Sequence, residues 1–207
     1  MMRWLRRRGG DNGESEGRPE SAGGRAERAR HTAPPSSVVA ALELARGDRL
    51  LAGAPIAQGS PAWLLATTHR FAAVQEADAA IVWDRPWHEV DQAAWGREAS
   101  TLTVTFVDAP RPVELPLGFE ERFLQVLRER VHASVVSVEE VPLGGRRSAR
   151  AVLRKDLATG AVVEQLVLPR GGRASEQTQA AAAEAFARLR EEIGLPPSRP
   201  AGDPPRE

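Results

Sequence analysis

Cysteine is absent from the 207 residues, tyrosine is absent too, and lysine occurs once, as Lys155. The missing thiol removes disulfides, thiolate metal sites and cysteine nucleophiles together, and fits a reducing cytoplasm. With basic charge carried almost wholly by arginine, single arginines are not read as chosen for bidentate recognition. Charge of either sign is not in excess: 28 basic residues balance 28 acidic ones. A nucleic-acid binder carries a basic stripe, so the balance speaks against nucleic acid as a partner. Long apolar runs are missing as well. No stretch of about 18 apolar residues exists to span a membrane, and no apolar segment follows the basic start MMRWLRRRGG to make a signal peptide. A cytoplasmic protein without cofactor is the expectation.

Aliphatic side chains are scarce in 9–35, a stretch rich in Gly, Pro, Glu, Ser and Arg that cannot bury enough surface to offset ordering entropy. The composition predicts a disordered tail over 1–35 and a second, Pro-rich one over 196–207. In the first, Arg3, Trp4, Arg6, Arg7 and Arg8 are candidates for contact with anionic lipid, at about 1 kcal/mol per arginine near the surface. Without an acyl chain that contact is marginal.

What remains is 42% hydrophobic over the whole chain, enough for a core. Ser36 or Ser37 is placed to cap a short helix burying Val38, Leu42 and Ala45, ended by Gly47. DRLLAGAPIA predicts a strand broken at Gly53 and Pro55. AWLLATTHRFAAVQ predicts alternation with Trp63, Leu65, Thr67, His69 and Phe71 on one face. AAIVWDRPW predicts a strand closed by Pro86, with Asp84–Arg85–Pro86 as its turn. STLTVTFVD alternates Leu102, Val104 and Phe106 with threonines, the two-residue period of a half-buried strand, and RPVELPL follows suit. Next the period changes. Phe119, Phe123, Val126 and Leu127 define one face of a helix with Glu120 and Glu121 in its first turn.

The rest divides into SVVSVEEVPL, SARAVLRKD and AVVEQLVLP as strands, then a helix from near Ser175 that buries Ala182, Phe186, Leu189 and Ile193 and stops at Gly194. The class expected is α+β: a small antiparallel barrel with a capping helix over 36–132, and a β-β-β-α extension over 133–195 docked on it. Three strands and a helix hold little core alone.

The densest chemistry lies in IVWDRPWHEVDQAAW (81–95), with three of five tryptophans, His88, and the acids Asp84, Glu89 and Asp91. Imidazole and carboxylate suit zinc or iron, and His69 could join from a neighbouring strand. The helical two-histidine motif fails, because no second histidine lies within eighteen residues of His88. Trp83, Trp87, Val90 and Trp95 are read instead as core, with His88–Glu89 at a solvated edge. GSPAW (59–63) has no nucleophile-elbow spacing, and PRGGRAS (169–175) precedes a helix N-terminus without phosphate-loop spacing.

In order, G-D-R-L-L-A, W-L-L-A-T-T-H-R-F, R-P-W-H-E-V-D-Q-A-A-W, T-L-T-V-T-F and F-L-Q-V-L-R-E-R-V resemble bacterial pleckstrin-homology-like (PH-like) domains over residues 46–132. R-E-R-V-H-A-S-V-V and the Ala-rich last helix are similar to actinobacterial proteins of the same layout. The resemblance implies a non-enzymatic binding module with no catalytic residues, and places Thr67–Arg70 and Trp87–Val90 on barrel strands. PH-like barrels bind lipids, peptides or proteins, and fold alone does not choose. Early strand loops without a dense Lys/Arg cluster disfavour phosphoinositides. An unknown protein partner is therefore expected, with Arg70, Arg85, Trp87 and His88 as the candidate surface. A peripheral membrane adaptor using the basic N-terminus, and a small hydrolase or metal enzyme using His69, His88 and Asp91, are the alternatives.

Overall fold

The computed structural model describes residues 33–56, 61–109, 111–144 and 147–197. Helix α1 (Ser36–Ala40) leads to β1 (Leu50–Pro55), β2 (Ala62–Thr67), β3 (Arg70–Gln75) and β4 (Ile81–Pro86), an antiparallel sheet in that order. A 3-10 turn, Trp87–Glu89, passes the chain to β5 (Val90–Gly96), β6 (Thr101–Phe106) and β7 (Val113–Pro116), a second sheet in sequential order. Helix α2 (Glu121–Ser134) runs directly into β8 (Val135–Pro142). With β9 (Ser148–Lys155) and β10 (Val162–Val167) this forms a third sheet, ordered β10-β9-β8 and followed by α3 (Glu176–Glu192). The class is α+β, with all three sheets antiparallel. The expected closed barrel is not formed: the first seven strands stay as a four-stranded and a three-stranded sheet.

The first core lies where Leu64, Ala66, Phe71 and Ala73 of the four-stranded sheet meet Val90, Leu102, Val104 and Leu115 of the three-stranded one. Phe123, Leu127 and Val131 of α2, spaced one helical turn apart, join it. Trp87 sits at its centre with no exposed surface, stacked on Phe71 at 5.4 Å. Its indole N–H donates to the Thr67 carbonyl at 3.0 Å.

Strand β2 is buried along its whole length because its other face, Trp63 and Leu65, is covered by Val38 and Leu42 from the α1 segment. That cover is made differently from the sequence expectation. Helix α1 has Pro35, not a serine, at its N-cap and ends at Ala40, leaving Ala45 exposed. Strand β1 continues through Gly53, whose missing Cβ would stand 2.9 Å from Pro34.

Three local readings are corrected. AWLLATTHRFAAVQ is a tight hairpin, so Phe71 pairs with Ala66 and faces away from Trp63 and Leu65. Asp84–Arg85–Pro86 belongs to β4, and the turn follows it. Phe119 precedes α2 and is exposed, packed on Trp95 at 5.2 Å, while Glu120 is the N-cap.

A second core is separate from the first. Val141, Ala149, Ala151 and Leu153 of the third sheet pack under Ala182, Ala185, Phe186 and Leu189 of α3. The helix starts at Ser175, whose hydroxyl accepts from the Thr178 N–H at 3.1 Å. It stops as the sequence predicts. Gly194 adopts φ +72°, and the Leu195 N–H reaches the Arg190 carbonyl at 2.8 Å, closing a Schellman turn.

Four edge strands carry one unpaired extra residue: Leu51 in β1, Val82 in β4, Asp91 in β5 and Val136 in β8. Such bulges re-aim a side chain and blunt an edge. No helix among the described residues is long and apolar enough to cross a membrane.

Candidate functional site

Arg70 is the hub of one polar cluster. The β2–β3 turn has no Gly, Pro or Asn-Gly to close it; side chains do so instead. Thr67 Oγ1 accepts from the His69 and Arg70 N–H groups, and Asp48 Oδ1 accepts from the His69 N–H and the Thr68 hydroxyl. From this turn the Arg70 guanidinium donates to Asp48 at 3.2 Å, to Asp84 at 2.6 Å and to the Leu42 carbonyl at 2.6 Å. One side chain thereby ties β3, β4 and the α1 segment together. Burial pushes the Asp48 carboxyl up, but hydrogen bonds from Thr67, Thr68, the His69 N–H and Arg70 outweigh it and hold the group below its ordinary value. His69 Nδ1 stands 3.8 Å from that carboxylate.

Arg85 is likewise engaged. It donates to Glu89 at 2.9 Å and Asp108 at 3.0 Å, with its guanidinium 5.5 Å from the Phe106 ring centre. Hydrogen bonds to those acids raise its affinity for the proton further.

A polar seam joins the two cores. Asp91, the extra residue of β5, is re-aimed by its bulge away from the β5–β6 ladder and is buried. Arg150 Nη2 donates to both its oxygens at 2.9 and 2.8 Å, and Arg154 Nη2 donates to Oδ1 at 3.2 Å. Arg154 is 1% exposed, and its other donations go to Ser134 Oγ and the Asp91 carbonyl. Burial pushes its guanidinium below the usual arginine value, and the Asp91 charge pulls it back. Alternation along β9 puts Arg150, Val152 and Arg154 on the face away from α3.

His88 joins the same seam a few residues away. Its carbonyl accepts from Gln165 Nε2 at 2.9 Å, and its Nδ1 lies 3.9 Å from Asp156 Oδ1, too far for a hydrogen bond. The Asp156 carboxyl is pushed up by burial but held below its ordinary value by hydrogen bonds from the Thr159 hydroxyl and the Ala158 N–H.

The residues crowded together in 81–95 are thus dealt out to separate partners. Asp84 goes to Arg70, Asp91 to Arg150 and Arg154, and His88 to the neighbourhood of Asp156. His69, His88 and Asp91 do not converge, and among the described residues no three His, Asp or Glu side chains gather as metal ligands. Trp87 is interior and contributes nothing to a surface. Arg3, Trp4, Arg6, Arg7, Arg8 and Ser60 lie outside the described residues.

Sequence reasoning missed Asp48, Arg150, Arg154, Asp156 and Gln165. One signal was present: Arg150 and Arg154, four apart in an alternating strand, share a face with Val152. Two of the open cavities among the described residues lie against β10. One of about 720 Å³ lies between β10 and α3, lined by Leu166, Ala183, Phe186, Ala187 and Leu195. The other, about 560 Å³, lies between Phe106–Ala109 and Leu166–Gly172. No protein-family model matches the chain, and the search of curated proteins finds no match either.

Proposed function

We propose that the chain is a non-enzymatic protein-binding module, with a PH-like arrangement in residues 46–132 and the β-β-β-α unit as a fixed extension. The supporting observation is where its polar chemistry goes. Arg70, Arg85, Asp84 and Asp91 are all used in intramolecular ion pairs. Large apolar side chains are left outside: Ile81 is 46% and Val82 54% exposed at the start of β4, and Phe119 is 56% exposed. Apolar side chains held outside on a frame locked by ion pairs suit recognition of another protein. The order of a four-stranded sheet, a three-stranded sheet and a following helix supports the PH-like part of this reading, although the two sheets do not close into a barrel.

The test is quantitative affinity capture from the native cell with the full chain and with Ile81→Asp/Val82→Asp. A partner captured in stoichiometric amount, rebound by the purified chain and lost with the variant, is the expected result. Turnover of a small substrate that vanishes in His88→Ala while its circular dichroism stays native would overturn the reading.

A further inference from the structure

The six sheet edges are not equally protected. Bulges interrupt β1, β4, β5 and β8, while β7 is four residues long, follows Pro112 and ends in Pro116. Only β10 among these edges has neither device. Its six residues pair without interruption to β9, from Val162↔Lys155 to Val167↔Arg150, and its far side is the edge of the sheet. All six are half-buried, none fully covered. Helix α3 lies mainly over β8 and β9, so the α3-side face of β10 opens into the 720 Å³ cavity. An edge of this length with neither bulge nor proline is a template for strand pairing.

We infer that this edge is the interface of a homodimer, in which β10 pairs antiparallel with β10 of a second copy about a two-fold axis through Gln165. The inference deepens the binding-module reading by naming one partner, another copy of the chain. The strand is complementary to itself in this register. A two-fold axis normal to the sheet keeps faces together, so opposed residues must be an even number apart. Centred on Gln165, the pairing sets Gln165 against itself, Val163 against Val167, and Glu164 against Leu166. No like charges stand directly opposite, which is what cross-strand pairing requires. A centre at Glu164 would oppose two carboxylates and is disfavoured. Glu164 is already neutralised by Arg190 at 3.0 Å, and its methylene stem would cover the partly exposed Leu166 of the other copy. The three-stranded sheet becomes six-stranded, and the two α3-side cavities meet across the axis.

The absence of cysteine makes the register testable in the full chain. Light scattering over a concentration series is expected to approach twice 22.4 kDa. Directly opposed Cβ atoms stand about 4.5–5.5 Å apart, close to the span of a disulfide, about 3.5–4.5 Å. Gln165→Cys should therefore cross-link to a covalent dimer on mild oxidation, whereas Arg97→Cys, on the β5–β6 turn, should not. Leu166→Asp, which opposes Glu164 of the other copy, should give a monomer with native circular dichroism. Should that variant fail to fold, the cross-link still decides. A monomer at every concentration, or a dimer that Gln165→Cys does not cross-link, overturns the inference. So does a monomer that dimerises only when 198–207 are deleted, since the chain's own end would then occupy the edge. A monomeric chain that still captures a different protein in the β4 experiment leaves the module reading standing.

Discussion

Replacing Asp91 with alanine tests whether the two cores are held together by charge. The Asp91 carboxylate is 5% exposed and receives three guanidinium bonds, at 2.8, 2.9 and 3.2 Å. Arg150 is one-third exposed, so on losing Asp91 it turns to water, and its share is under about 1 kcal/mol. Arg154 cannot do so. At 1% exposure it would keep only Ser134 Oγ and a backbone carbonyl, with its charge uncompensated. Breaking such a buried pair costs about 3–5 kcal/mol, a large part of a total stability of about 5–15 kcal/mol. Asp91→Asn, which keeps an acceptor without the charge, should lose less. Asp91→Leu/Arg154→Met should lose less than Asp91→Ala alone, because it removes the stranded charge as well as its partner. Urea unfolding followed by tryptophan fluorescence measures all three. A loss below about 1 kcal/mol for Asp91→Ala would show that the guanidinium finds water, and the argument from burial would be wrong.

Trp87→Phe keeps the stack on Phe71 but strands the Thr67 carbonyl in the first core; equilibrium unfolding should show a loss of about 1–3 kcal/mol. Asp48 is held below its ordinary value in the folded chain by hydrogen bonds to its carboxylate. Its contribution is therefore complete above the unfolded value and is lost as pH falls through the folded one, so wild-type stability should drop more steeply than that of Asp48→Asn below about pH 4. Gly194→Ala forces a β-carbon into φ +72° at the end of α3 and should cost about 1–2 kcal/mol, read as a lower thermal midpoint with unchanged helix content.

Elements whose causes are local could be read from sequence. Thr101–Phe106 alternates because one face is buried, and α3 ends at Gly194 because the Schellman turn needs a left-handed residue. Elements with distant causes could not. The β2–β3 turn depends on Asp48, twenty and twenty-one positions before the residues it binds, so Thr68–His69 reads as continuing strand. Phe119 fits the helical period of Phe123 but falls before the N-cap, where Trp95 draws it aside. The candidate site shows the same division. Trp87 could be read as core from composition. The seam could not, because the partners of Asp91 lie 59 and 63 residues away. The expected barrel gave way to separate sheets, since strand spacing predicts neighbours but not closure.

Asp91 has one more property, which follows from its being surplus to β5. Val90, Ala93 and Trp95 face the first core although they are not an even number of steps apart throughout; the extra residue absorbs the difference. Excising it would put the strand back in phase, with Val90, Ala93 and Trp95 still pointing inward and the ladder to β6 made regular. The seven-stranded part would lose nothing that it needs for itself. What would go is the one carboxylate that Arg150 and Arg154 share. The charged part of the attachment between the two halves thus rests on a single extra residue, which the strand that carries it would fold more simply without.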